Sequence, residues 1–312
     1  MGTVVVSSTA IGRAELQATR PRLSYRVVEV LTPYLFLLPF FVLFGIFWVG
    51  PIVASFGYSF TAWRGITPPV YVGLRNYQAL WADPRFHTAL YNTLLFTALY
   101  VTIANAAALS LALLLNAAWL RFRHVFRTAF FLPMTISMVV SAVIFQMIYA
   151  GDIGLIAKLG ALVGFKTQSW LIDDRLALWA IILMRVWRTL GYYAIIYLAG
   201  LQTVPAELQE AARIDGASRW QVFRYVTLPT MRPVMLVCVV ISTISALEMF
   251  DEPMILTQGG PADSTLTVAM YLYQQGFQFL QLGHAAAASY VLTLIILLIS
   301  VAQRLTIGRE AK

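Results

Sequence analysis

The charged side chains that interrupt long apolar runs are the residues best equipped for chemistry. Arg185 and Arg188 stand three apart in the stretch 176–204, and Glu248, Asp251 and Glu252 follow the apolar run 233–247. A charge in hydrocarbon costs roughly 2.5–3.5 kcal/mol on insertion scales, so such groups pair with one another or line a polar pathway. Both readings are open: a structural ion pair between two helices, or a lining that meets a solute as it crosses. Trp187, Tyr192 and Tyr193 add amphipathic rings near Arg188, which suit either stacking on a solute or packing against lipid and neighbouring helices. Trp187, Arg188, Tyr192, Tyr193, Glu248 and Asp251 are therefore the candidate pathway residues. Catalytic equipment is missing from the sequence. His87, His124 and His284 are far apart and match no metalloprotease spacing, and no Gly-x-Ser-x-Gly elbow occurs. Gly160, Gly164, Lys166 and Thr167 approach a phosphate-binding loop but have the wrong spacing. The expectation is a chain with no catalytic residue and no metal. The single cysteine, Cys238, lies in an apolar stretch, rules out an intramolecular disulfide and reads as a small buried hydrophobe.

Elements that carry such groups must live in lipid. Of the 312 residues, 60% are hydrophobic and only 12% are charged, and the mean hydropathy is +0.75, whereas an ordinary soluble domain carries about 25% charged residues. The net charge of +8 would suit a nucleic-acid binder, but the basic residues are scattered among apolar runs and read as orientation signals. Apolar runs at 33–60, 88–120, 128–151, 176–204 and 233–247, and again at 285–303, approach or exceed the roughly 20 residues needed to cross about 30 Å of hydrocarbon. The fifth reaches Leu256 only if its acidic residues are tolerated, and Gln274, Gln275, Gln278 and Gln281 make the first half of the 264–303 stretch polar. The expectation is an all-α polytopic membrane protein with six transmembrane helices. Some 32 residues precede the first run, which is longer than a signal peptide's apolar core, so that helix is expected to remain as an anchor. With six spans, the connectors on one side (1–32, 121–127, 205–232 and 304–312) hold 14 of the 22 Lys and Arg, and the opposite connectors hold six. The richer side is cytoplasmic by the positive-inside bias, which places both termini there.

The connector 205–232 has a structure written into it. Pro205 suits a helix's first turn, Glu207 suits its positive end, and Leu208, Ala211 and Ala212 repeat at helical spacing until Gly216 can supply a left-handed stop. Ser218 followed by Gln221 is a capping box that opens a second helix, with Trp220, Phe223 and Val226 available for one face and Pro229 to close it. Small alanines on the first helix would let a partner approach its backbone, with Glu210 and Arg213 flanking the patch; an amphipathic segment lying on the bilayer is the other reading.

Glu210-Ala211-Ala212, three residues, Gly216, nine residues, then Val226-Thr227-Leu228-Pro229 resembles the EAA loop of ABC importer permeases, with valine standing for the usual isoleucine. The resemblance covers about residues 30–305 and is nearest to the carbohydrate-uptake type, the group of maltose and glycerol-phosphate permeases. Gly73-Leu74-Arg75-Asn76-Tyr77, Asn92-Thr93-Leu94, Phe126-Arg127, Phe131-Leu132-Pro133, Phe250-Asp251 and Leu256-Thr257-Gln258-Gly259-Gly260-Pro261 are similar to that group's segments. Two departures from the group are the missing Gly-x-x-Asn after the third helix, where Gly151-Asp152-Ile153-Gly154 stands, and the lack of a large outer insertion.

The resemblance implies half of a translocation pore for a sugar or polyol, in the cell membrane of a prokaryote. It implies a second, related permease subunit, two ATP-binding subunits and an extracytoplasmic substrate-binding protein as partners, with membrane lipid around them and no nucleic acid. The chain itself would be no enzyme and would bind no cofactor; ATP and Mg would sit on the partner ATPase. Glu210, Ala211, Ala212, Asp215, Gly216, Leu228 and Pro229 would form the coupling contact. The domain reading is a tail at 1–32, a permease domain at 33–305 with the coupling loop at 205–229, and a tail at 306–312. An ion-gradient-driven secondary transporter would also account for six spans and buried charges, but it would not need the bent connector at 205–229, the elbow.

Overall fold

The computed structural model describes residues 22–117, 119–151, 153–162 and 169–308, with side chains from Val30 onward. Most of the first tail, residues 309–312 of the second, and Gly164, Lys166 and Thr167 lie outside the described residues. Helix α1 (Arg22–Phe44) runs through a π turn, Gly45–Val49, into α2 (Gly50–Tyr58). A two-stranded antiparallel ribbon, β1 (Thr61–Ala62) against β2 (Val70–Tyr71), leads to α3 (Arg75–Ala82) and the long α4 (Pro84–Asn116). Next come α5 (Arg123–Thr135), α6 (Met138–Tyr149), α7 (Leu155–Leu162) and α8 (Ala177–Gln202). The connector 205–232 folds as α9 (Ala206–Ile214), α10 (Arg219–Val222), a π turn, Phe223–Thr227, and α11 (Leu228–Thr230). Helices α12 (Arg232–Leu247), α13 (Asp251–Leu256) and α14 (Val268–Tyr273), a π turn, Gln274–Gln278, and α15 (Leu282–Ile307) complete the order.

Two compact units divide between Ala54 and Ser55. In the first, no described side chain is buried, and Phe36, Phe47 and Trp48 are among its exposed rings. Such a surface is stable in hydrocarbon and costly in water.

Among the described residues, four helical stretches are long and apolar enough to cross a membrane: Val30–Tyr58, α4, α8 and α15. The expected third and fifth spans are broken. Helices α5 and α6 meet at 97°, and the α10–α11 segment meets α12 at 68°, so six spans are reached only if each bent pair counts as one. The sequence carries a cause for each bend. Pro133 removes an N–H from the last turn of α5, and Ile136 is extended at φ −74°, ψ 138°. Pro229 and Pro233 flank the bend at Met231, so the second elbow helix does not close at Pro229; helical backbone runs on to Thr230. The fifth apolar run also stops early. Helix α12 ends at Leu247, Glu248 is its C-cap, and Asp251 and Glu252 open the separate α13. The last helix begins at Leu282, three residues before the expected Ala285.

The second unit is built around α4, α8 and α12. Phe96, Tyr100, Ile181, Ile182, Met184 and Tyr197 pack into one core, with Cys238 fully buried beside them. A buried polar set ties the three helices together: Tyr197 donates to Asn105 Oδ1 at 2.7 Å, and Asn105 Nδ2 donates to Ser242 Oγ at 2.9 Å. Every buried polar atom of that set finds a partner, as a low-dielectric interior requires. Two glycines of α8 bring helices close. A Cβ at Gly191 would collide with the Phe130 carbonyl oxygen of α5, and one at Gly200 would stand 2.9 Å from Val234 of α12.

Gly191→Val should force α5 off α8 and destabilise the protein by about 1–3 kcal/mol. Gly57→Ala, with no atom within 4 Å of the added Cβ, should leave the melting temperature in detergent unchanged or higher. Equal melting of the two variants would refute the close-packing account.

Candidate functional site

Two places gather most of the residues singled out above. The first is the elbow. Helix α9 stops because Gly216 takes φ +86°, the Ala217 N–H reaches back to the Ala212 carbonyl at 2.9 Å, and the Gly216 N–H reaches the Arg213 carbonyl at 3.1 Å. This pair of bonds satisfies the orphan carbonyls of the helix end and needs a residue tolerant of positive φ. The next helix opens with the expected reciprocal cap: the Ser218 N–H donates to Gln221 Oε1 at 2.7 Å, and the Gln221 N–H donates to Ser218 Oγ at 3.4 Å. Glu210, Ala211, Asp215 and Gly216 are exposed, Ala212 is half-buried, and Leu228 and Pro229 are half-buried in α11. Trp220 and Phe223 share a face of the second helix as expected, but that face is not the buried one. Val222 is its buried residue, whereas Trp220 stays 68% exposed with its ring 5.5 Å from Phe223. Ile214 is 85% exposed beside Asp215. The bent helix pair thus leaves Ala211 exposed, Ala212 half-buried and a large apolar side chain, Ile214, at its tip.

The second place is a cavity of about 590 Å3 between α8, α12 and α13, open at one side. Arg188, Glu248 and Asp251 stand on its wall together with Arg185, Ser245 and Glu252. Arg185 Nη1 lies 2.7 Å from Glu252 Oε1, with the two side chains only 9% and 7% exposed. Its Nη2 donates to both the carbonyl and the hydroxyl of Ser245, at 2.7 and 2.6 Å. The guanidinium also lies over the Tyr100 ring, 5.1 Å from its centroid. Arg188 instead donates from Nη2 to the Ile136 carbonyl at 3.2 Å, which is the backbone group freed where α5 breaks from α6. Neither Glu248 nor Asp251 makes a salt bridge among the described residues. The cavity wall therefore carries both signs of charge, with its carboxylates at Glu248 and Asp251 left for water or a solute.

Trp187, Tyr192 and Tyr193 are not on this wall. The Trp187 ring packs on Phe145 at 5.1 Å, and Tyr193 is 3% exposed, edge-on to Tyr192. The pairing of Arg185 with Glu252 is not fixed by spacing, because the break at 248–250 resets the rotation of α13 relative to α12. Ser245 carried no signal beyond a hydroxyl in an apolar run.

At the far end of α4 from the elbow, segments distant in sequence meet. Arg85 holds Asp263 through Nε and Nη2, at 2.8 and 2.9 Å. Asn92 Nδ2 donates to the carbonyls of Asp263 and Leu266 at 2.8 and 3.1 Å, and Thr93 Oγ1 accepts from the Val268 N–H at 3.0 Å. These bonds pin the loop that carries Gly259, Gly260 and Pro261. The hydrogen bond from Arg85 holds the Asp263 carboxyl below the usual carboxylate range. The pair's contribution is therefore complete above the ordinary carboxylate pKa and is lost as pH falls through the lowered one.

A helical membrane permease fold with a broken-span cavity and a bent connector is the class these features define. Residues 104–307 match the family described as binding-protein-dependent transport system inner membrane component, and the chain belongs to that family. Similar curated proteins include the arabinooligosaccharides transport system permease protein AraP of Bacillus subtilis (strain 168), 38% identical over 86% of each chain. The lactose transport system permease protein LacF of Rhizobium radiobacter is 36% identical over 92% of this chain and 97% of its own. Among solved structures, a chain of a bacterial ABC transporter involved in the import of the acidic polysaccharide alginate superposes with a TM-score of 0.81. It is 25% identical, and the match covers 93% of this chain and 100% of that one. This is a multi-pass membrane protein, a transporter permease.

Removing Arg185 alone strands the buried carboxylate of Glu252. Arg185→Met should cost about 3–5 kcal/mol, and the double variant Arg185→Met/Glu252→Leu should recover most of it in thermal unfolding of the purified protein. A double variant as unstable as the single one would show that the pair is not the reason.

Proposed function

We propose that this chain forms half of the pore of an ATP-driven importer of a sugar or oligosaccharide, and that the elbow at 205–229 receives the movement of a separate ATPase subunit. The observation that carries the reading is the elbow itself. Its turn is held by Gly216 at positive φ and by a reciprocal cap, and it leaves Glu210, Ala211 and Asp215 bare on one side. A loop with no rigid task would not need both devices. The permease family, the names of AraP and LacF, and the fold shared with the alginate importer's chain support the transport reading.

In this reading the six spans count each broken pair as one, both termini face the cytoplasm, and the elbow lies on that side because the basic connectors do. The pore is completed by a second, related permease subunit. Two ATPase subunits, which hold ATP and Mg, dock beneath it, and an extracytoplasmic binding protein delivers the solute; a binding protein accompanies the alginate relative in a second solved structure. Drawing the ATPases together would push on α9 and α10, and the push passes through α11 and the bend at Met231 into α12. Access would then alternate between two states whose balance is set by nucleotide. The cavity beside α12 and α13 is the natural route for the solute. Its uncompensated carboxylates, Glu248 and Asp251, can accept hydrogen bonds from hydroxyl groups.

Gly216→Val should abolish uptake while leaving the amount of membrane-inserted protein unchanged, because valine is strained at φ +86°. Glu210→Lys should lower co-purification of the ATPase at least about tenfold, the loss of a charged contact worth roughly 1.4 kcal/mol or more. Uptake measured with labelled sugar, together with pull-down of the ATPase, checks both; undiminished transport in both variants would sink the reading.

A further inference from the structure

A second cavity, of about 500 Å3, lies between the elbow and the ends of α4 and α8, and neither the coupling contact nor the solute route uses it. Arg213 of α9 and Arg219 of α10 line it, with Gln209, Asn116, Thr227 and Trp119 around them. No Asp or Glu is on its wall, and neither arginine has a carboxylate within ion-pair distance among the described residues. Gln209 and Arg213 are four apart on α9 and so share a face; Arg213 and Arg219 border the pocket with exposed side chains, while the equally exposed Glu210, Ala211 and Asp215 are not on its wall. The elbow thus has a partner side and a pocket side. The ends of α4 and α8 each bring about half a negative charge, which two guanidinium groups outweigh. Two cations, amide and hydroxyl donors and no carboxylate are the donor set for a phosphoryl oxygen cluster. Trp119 stands just beyond the end of the spanning α4 and is 73% exposed, the position of an interfacial ring at headgroup depth.

We propose that this pocket binds a phosphoryl anion, with the phosphate of an anionic lipid headgroup as its source, so that the elbow is held against the membrane by lipid as well as by its own helices. The inference rests on the cytoplasmic placement of the elbow given above. Inorganic phosphate offers the same chemistry, and the test separates the two.

The assembled transporter, purified in mild detergent, is examined by native mass spectrometry for retained phosphatidylglycerol. The wild type, Arg219→Gln and Asn116→Asp are compared, the last placing a carboxylate opposite the arginines from outside the elbow. Arg219→Gln should lower phosphatidylglycerol occupancy about fivefold, the usual effect of one basic residue at an anionic surface, and Asn116→Asp should lower it as well. In proteoliposomes of phosphatidylcholine alone, Asn116→Asp should transport as the wild type does. In proteoliposomes with one part in four phosphatidylglycerol, only the wild type should gain. Displacement of the retained lipid by inorganic phosphate would support the site and make the soluble ion an alternative source; lack of displacement supports the lipid alone. Equal lipid retention in all three proteins overturns the proposal, as does loss of ATPase co-purification with retention unchanged, which would assign the pocket to the partner chain. Failure of uptake in Gly216→Val bears on coupling and not on this pocket, so the two readings fail separately.

Discussion

Hydrocarbon cannot hydrogen-bond a peptide group, and that constraint orders nearly every feature of the second unit. Straight spans satisfy their backbone internally. Wherever a span is interrupted, another residue must supply what the helix no longer does. At the break between α5 and α6, Arg188 reaches from α8 to the Ile136 carbonyl. Where α12 gives way to α13, the Ser245 carbonyl receives Arg185, and Arg185 is in turn neutralised by Glu252. The two arginines of one helix face thus serve two different breaks. This division explains why charges are kept in an apolar helix despite their cost.

The same breaks create the geometry of both candidate sites. A continuous fifth span would leave no cavity between α8 and α12, and a continuous connector would present no bent face. Interruption therefore does at both places what a longer helix could not: it turns the chain, frees polar groups and leaves space beside them. Between the two sites, α12 is the common element, joined to the elbow by the 68° bend and to the cavity wall by Ile244, Ser245 and its C-cap Glu248. It is attached to α4 through Ser242 and Asn105, and to α8 through the close approach of Gly200 and Val234, so the helix that joins the two sites is packed along its length. Interiors this dense shift between discrete arrangements more readily than they bend.

Motif fragments scattered along the chain acquire meaning from their contacts. Asn92 and Thr93 sit some 170 residues from the loop they hold, yet their side chains bond Asp263, Leu266 and Val268 directly. Asn76, in the Gly73–Tyr77 string, donates to the carbonyls of Ser59 and Thr61 at 2.8 and 2.9 Å, fixing the turn that follows the first helix pair. These asparagines are there to satisfy carbonyls that no helix or strand covers. A sequence reading sees them as punctuation near helix ends and has no means to say which carbonyls they serve.

The sequence by itself determined the solvent, the approximate spans, the capping box at Ser218 and Gln221 and the left-handed stop at Gly216, because hydropathy, caps and glycine act within a few residues of where they are written. The elbow was legible for that reason, and so was the burial of Cys238. Tertiary structure alone decided which carboxylate meets Arg185, that Arg188 would cap a broken helix, that Val222 and not Trp220 would turn inward, and that Tyr193 would join the core. Each of these depends on the rotation of one helix against another after a proline or a break. Such rotations are set by packing between segments a hundred residues apart, which local periodicity does not encode.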